Sequence, residues 1–198
     1  MVQTLFELFW GLLAGSFLGF VGGVVLGEFD ALRRIFLPYV VTSQVVPKLA
    51  LAPLFIVWFG FGALPTVVMT ALICFFPLLE NTMTALTQTD TQQLALFRML
   101  RASRWTTLWR LKLPQGLPVV LAGLRVAVVL AWVGAVVGEF TTASKGLGAL
   151  IIAAQGSMDT ALMFAVLVLI TVQGWLMYQA CGVLERYVLR KVGFKERS

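Results

Sequence analysis

The chain has 198 residues, 60% of them hydrophobic and only 12% charged, and its mean hydropathy is +0.93. Soluble domains are typically about 45–50% apolar and about 25% charged, so the composition excludes an ordinary water-soluble fold. The net charge is +6, but the basic residues gather at the ends of apolar runs, which points to membrane topology and lipid contact and away from nucleic acid.

The chain contains no histidine, the commonest acid–base residue and metal ligand. Its two cysteines, Cys74 and Cys181, each lie inside an apolar run. They read as small buried hydrophobes, and no metal site is expected.

Five spanning helices are predicted, each near the length that crosses a bilayer core. The first runs from about Leu5 to Gly27. Glu7 and the lack of Lys or Arg before it leave no basic region of the kind that opens a cleavable signal. Gly11, Gly15, Gly19, Gly23 and Gly27 recur every fourth residue along this span. Such a stripe lets two helices approach closely, either in a moving or dimer-forming contact or in packing within the chain. The second reading is favoured, because glycine is common in membrane helices.

The second span, Ile35 to Phe59, is interrupted by Pro38, Pro47 and Pro53. Lys48 follows Pro47, where proline frees a backbone carbonyl. A charge there is costly unless it meets protein or water, so a broken helix lining a solute pathway is expected. The third span, Leu64 to Leu86, carries Glu80. The fourth, Leu117 to Gly138, carries Arg125 and ends at Glu139. The fifth runs from Ala161 to Leu184. Glu80, Arg125 and Glu139 join Lys48 as candidate pathway charges. An ion pair or snorkelling is the structural alternative for Arg125 and Glu139. Trp58, Trp132 and Trp175 read as interfacial or packing residues.

All basic residues except Lys48, Arg125 and Lys145 fall between spans one and two, between spans three and four, or after span five. Those regions are therefore expected inside, with the N-terminus and the Lys145 loop outside.

The segment from Thr87 to Pro118 is basic and too long for a simple turn. Leu94, Phe97, Leu100, Trp105, Leu108, Trp109 and Leu111 recur at helical spacing, predicting short amphipathic helices. These residues alone leave two readings open: a helix lying on anionic lipid, or a docking surface for a cytoplasmic partner.

The stretch RASRWTTLWRLKLPQGLPVVLAGLR resembles the cytoplasmic "EAA" loop of permeases from binding-protein-dependent ABC importers. Anchoring on Leu113-Pro114 places Leu111 at that pattern's Ile, Arg101 at its Gly, and Ala95-Leu96-Phe97 at its Glu-Ala-Ala. The downstream half matches well and the upstream half is degenerate. Pro47 to Leu54, Trp58-Phe59-Gly60, Phe75-Phe76-Pro77, Gly138-Glu139-Phe140 and Gly146-Leu147-Gly148 resemble the nitrate/sulfonate/taurine subfamily, which includes importers of vitamin precursors and riboflavin.

The resemblance implies a single all-α permease domain of the type I importer fold, with a coupling loop at about 87–116. In the subfamily an extra helix precedes the first span, and this sequence is expected to lack it. The implied assembly contains a second permease copy, two cytoplasmic ATPase subunits that hold ATP and Mg, and a periplasmic or extracellular solute-binding protein. It sits in a bacterial inner membrane. Leu100, Trp105, Leu108 and Trp109 would anchor the ATPase, with Arg98, Arg101, Arg104 and Arg110 as the polar rim and Leu111, Leu113 and Pro114 closing the motif. The expected solute is small and polar or anionic, or a vitamin precursor.

No cofactor is expected in the chain itself. It contains no Gly-x-x-x-x-Gly-Lys-Ser/Thr phosphate loop and no acid–base pair at active-site spacing, so it is not expected to be an enzyme. The rival classes are a self-contained channel or secondary transporter and an integral-membrane enzyme. The long helical loop weighs against a pore, and the absence of histidine against an enzyme.

Overall fold

A computed structural model describes residues 1–142 and 145–192. The basic residues Lys195 and Arg197 lie outside the described residues. Among those described, helices account for all regular structure, and four of them are long and apolar enough to span a membrane.

The first helix, α1, runs over Val2–Glu28. Its buried residues include Thr4, Leu8, Gly11, Gly15, Gly19, Gly23 and Leu26, one stripe at three- and four-residue steps. That stripe packs on α4, Ala63–Thr87. A Cβ added at Gly11 would come within 2.5 Å of Thr70 Cβ, and one at Gly23 within 2.6 Å of Thr82 Cβ. The glycines are therefore what lets the two backbones approach. Their seam lies within the chain. Cys74 Sγ crosses it at 3.6 Å from the Gly11 carbonyl.

An adjoining face of α4, which shares Thr70 with the first, meets α7, Leu113–Thr142. A second glycine series, which the sequence reading missed, forms this contact. Gly116 faces Ala85, Gly123 faces Asn81, Gly134 faces Thr70 and Ile73, and Gly138 faces Thr66. Their steps of seven, eleven and four residues keep them on one helical face. The fourth span is thus longer at both ends than predicted. Helix α9, Thr160–Val192, leans on α7 through Trp132, whose indole N–H donates to the Ile170 carbonyl at 3.1 Å. Trp132 is buried and acts in packing. Along α9 only Val166 and Gly182 are buried.

The predicted second span is not one straight helix. Helix α2, Asp30–Ser43, and a 3-10 turn, Lys48–Leu51, leading into α3, Ala52–Phe59, meet at 81°. Pro47 caps the 3-10 turn and cannot donate a backbone hydrogen bond. Helix α2 buries no residue within the chain.

Between α7 and α9 a short helix, α8, Leu147–Gly156, packs at the end opposite the basic residues. Leu147 and Ile151 join Leu8, Ala131, Ala135 and Val166 in one apolar cluster. The loop between α4 and α7 contains α5, Thr91–Met99, and α6, Arg104–Thr107. A single π-helical turn, Leu108–Lys112, then runs straight into α7.

Candidate functional site: the basic loop and the broken span

Local caps shape the basic loop. Asp90 accepts from the Gln92 amide at 2.9 Å and opens α5; Ser103 accepts from the Thr106 amide at 3.1 Å and opens α6. Between them α5 ends in a Schellman turn. The Ala102 amide donates to the Phe97 carbonyl and the Arg101 amide to the Arg98 carbonyl, both at 3.0 Å. That turn puts Arg101 at φ +51°, in the left-handed region. Arg101, which the EAA resemblance sets at that pattern's Gly, thus adopts a backbone conformation that favours glycine. A non-glycine residue there costs about 1–2 kcal/mol. Arg101→Gly is accordingly expected to stabilise the protein by up to about 1 kcal/mol, or roughly 2–4 °C in Tm. Thermal melting of the purified variant checks this; an unchanged or lowered Tm would show that the arginine is not under strain.

The predicted anchor stripe divides in space. Trp109 is 62% exposed, and Leu100, Met99 and Trp105 are also exposed. Leu108 and Leu111 are not: they are 3% and 8% exposed. Both lie in the π turn and pack into the bundle of this chain. Leu113 and Pro114 start α7 and are half-buried. Arg98, Arg101, Arg104 and Arg110 are exposed. Lys112 pairs with Glu28 at the end of α1 at 2.5 Å, both side chains largely buried.

The four candidate pathway charges do not share a site. Lys48 stands at the break between α2 and α3 and donates to the Gln44 side-chain carbonyl. A cavity of about 340 Å³ opens there, lined by Gln44, Pro47, Lys48 and, from across the bundle, Ile73, Val133 and Gly134. Glu80 is exposed on α4. Arg125 lies over the Tyr178 ring at 3.9 Å and reaches Glu185 at 3.6 Å, which ties α7 to α9. Glu139 is 0% exposed. Its Oε2 accepts from the Gly148 amide at 2.6 Å, and the Leu147 amide donates to Thr4 Oγ1 at 3.1 Å. Glu139 thus caps α8 from inside the protein, about 21 Å along α7 from Arg125. Glu7, which the sequence reading noted only as an acidic residue near the start, is 1% exposed and accepts from Gln3 at 2.7 Å.

Residues 11–192 match the family described as binding-protein-dependent transport system inner membrane component. The chain belongs to this family. It is 37% identical over 186 residues to a probable ABC transporter permease protein of Haemophilus influenzae, covering 93% of this chain and 76% of the relative. It is 39% identical to the riboflavin transport system permease protein RibX of Chloroflexus aurantiacus, covering 80% of this chain but only 59% of that protein's length. It is 35% identical to the formylaminopyrimidine transport permease protein ThiX of Halalkalibacterium halodurans, covering 90% and 72%. A solved structure of the MetNI methionine ABC transporter in an inward-facing conformation contains a chain with the same fold. The TM-score is 0.83 at 20% identity, covering 94% of this chain and 93% of that one. The permease of the ABC importer type is therefore a multi-pass helical membrane protein of the type I fold.

Proposed function

We propose that this permease forms the solute pathway of an ATP-driven importer and takes its energy from separate ATPase subunits docked on the basic loop. The observation that carries the reading is that loop itself. Capped helices at the basic end of the bundle present Met99, Leu100 and Trp109 to solvent, and Arg101 and Arg110 lie exposed beside them. Apolar anchors rimmed by charge on short helices suit insertion into a partner's groove. ATP and Mg belong to that partner. A second permease copy completes the pathway, a solute-binding protein delivers from outside, and the assembly resides in a bacterial inner membrane with the basic loop inside.

The cavity at the helix break is the part of the pathway this chain supplies. Lys48 provides a single positive charge beside Gln44, with Ile73, Val133 and Gly134 as an apolar wall. That lining suits a small polar or anionic solute. The relatives named for riboflavin and formylaminopyrimidine make a vitamin precursor the leading class.

Lys48→Met removes the charge with little change in volume. Solute uptake in reconstituted vesicles is expected to fall at least about tenfold, a change of about 1.4 kcal/mol, while the ATPase still co-purifies. Unimpaired uptake would remove Lys48 from the pathway. A chain that never retains an ATPase would overturn the importer reading as a whole.

A further inference from the structure

Two cavities meet at the basic end of the bundle, and they differ in chemistry. One, of about 360 Å³, is lined by Arg98, Arg104, Lys112, Glu28, Thr107 and Leu94. The other, of about 340 Å³, is lined by Val24, Val25, Phe29, Trp105 and Leu108. Glu28 and Arg104 border both, so the polar chamber opens onto the apolar groove. The groove is lined by the last turn of α1, and the chamber by residues of α5, α6 and the π turn.

The charge in the chamber is unbalanced. Lys112 is neutralised by Glu28 at 2.5 Å. The Arg98 and Arg104 guanidinium groups border the same space, and no ion pair of either is found among the described residues. Planar guanidinium groups bind phosphate oxygens through paired N–H donors. An apolar groove reaching back into the membrane from such a chamber matches a phospholipid, phosphate outward and acyl chain inward. Tryptophan at the groove's edge suits the interfacial depth.

We infer that this juncture binds one anionic phospholipid, its phosphodiester held by Arg98 and Arg104 and one acyl chain laid against Val24, Val25, Phe29 and Trp105. A choline headgroup would bring a further cation into a chamber already in positive excess, so zwitterionic lipid is disfavoured. The lipid would join the end of α1 to the loop that precedes α7, and so bear on the position of α5 and α6.

The test uses the full chain, purified with whatever subunits accompany it and supplied with equimolar phosphatidylglycerol and phosphatidylcholine. Native mass spectrometry is expected to find phosphatidylglycerol retained in preference. Arg98→Gln with Arg104→Gln should lower that retention roughly tenfold or more, since each basic group near an anionic headgroup contributes on the order of 1 kcal/mol. A second measurement leaves the arginines unaltered. Brominated phosphatidylglycerol should quench the component of tryptophan emission that Trp105→Phe removes, and brominated phosphatidylcholine should not. Equal retention of the two lipids, or quenching that does not depend on Trp105, would overturn the inference. Displacement of the lipid by millimolar inorganic phosphate would overturn it too, assigning the chamber to free anions. Loss of an accompanying ATPase from the double variant with lipid retention unchanged would reassign the arginines to a protein contact.

Discussion

Trp109→Ala is expected to release the ATPase from the purified transporter while the permease itself melts at its normal temperature. Trp109 is 62% exposed at the basic end, beside Arg110 and within the π turn. Buried Trp and Arg tend to dominate interface energies, and truncating such an anchor costs about 2 kcal/mol or more, roughly a thirtyfold loss of affinity. Leu108, one residue earlier, supplies the contrast. It is 3% exposed and packs inside the bundle, so Leu108→Ala is expected to cost about 2–5 kcal/mol of stability. Paired measurements of ATPase retention and Tm separate the two effects. Full retention by Trp109→Ala, with solute-stimulated hydrolysis intact, would remove this tryptophan from the docking contact. Trp105 is a poorer probe, because it also borders the apolar groove beside α1.

The largest effect on folding is expected at Gly15. A Cβ there would lie 2.5 Å from Cys74 Sγ and closer still to the Ala71 carbonyl, which belongs to the α4 backbone and cannot turn aside. Gly15→Leu must therefore push α1 off α4. Overpacking a core by a few methylenes costs typically about 1–3 kcal/mol, and here a whole side chain meets backbone. Gly15→Leu is expected to lower Tm by roughly 10 °C or to prevent recovery of folded protein altogether. Gly156→Leu is the matched control, since an added Cβ at Gly156 meets nothing within 4 Å. Equal melting temperatures for the two variants would refute the packing of α1 on α4 described above.

Much of this architecture can be read from local pattern. Spans one, three and five are predominantly apolar runs, and their helices begin and end within a few residues of the sequence estimate, apart from the longer inner end of α9. The stripe from Gly11 to Gly27 identifies the packing face of α1 because its period is that of a helix. Pro47 marks the break in the second span, but no local signal encodes the 81° at which the two halves meet. The burial of Leu108 and Leu111 within the chain is not legible in the sequence for a related reason. Apolar periodicity identifies a face that will be covered but not what covers it, and here the same chain does so.

Glu139 was harder still. One of the groups it needs is the Gly148 amide, nine residues ahead, and the Leu147 amide beside it is held by Thr4 at the far end of the chain. A carboxylate ending an apolar run gives no sign of such partners. The series Gly116, Gly123, Gly134 and Gly138 was visible in principle, yet its uneven steps conceal one face more effectively than a strict four-residue repeat.

Glycine-lined neighbours grip two adjoining faces of α4, and this limits where the molecule can deform. Backbones seated this closely interlock, so sliding α1 or α7 by a fraction of a turn would drive a glycine out of its socket and a side chain into the opposing main chain. The three helices therefore move as one slab. Compliance is left to the elements with less hold on it: α2, which buries nothing, the bend at residues 44–47, and α9, held through Val166 in the apolar cluster and through Trp132, Arg125 and Gly182. Any rearrangement of the bundle is then confined to hinge motion at the margins of a stiff centre. The Lys48 cavity lies between that bend and the slab.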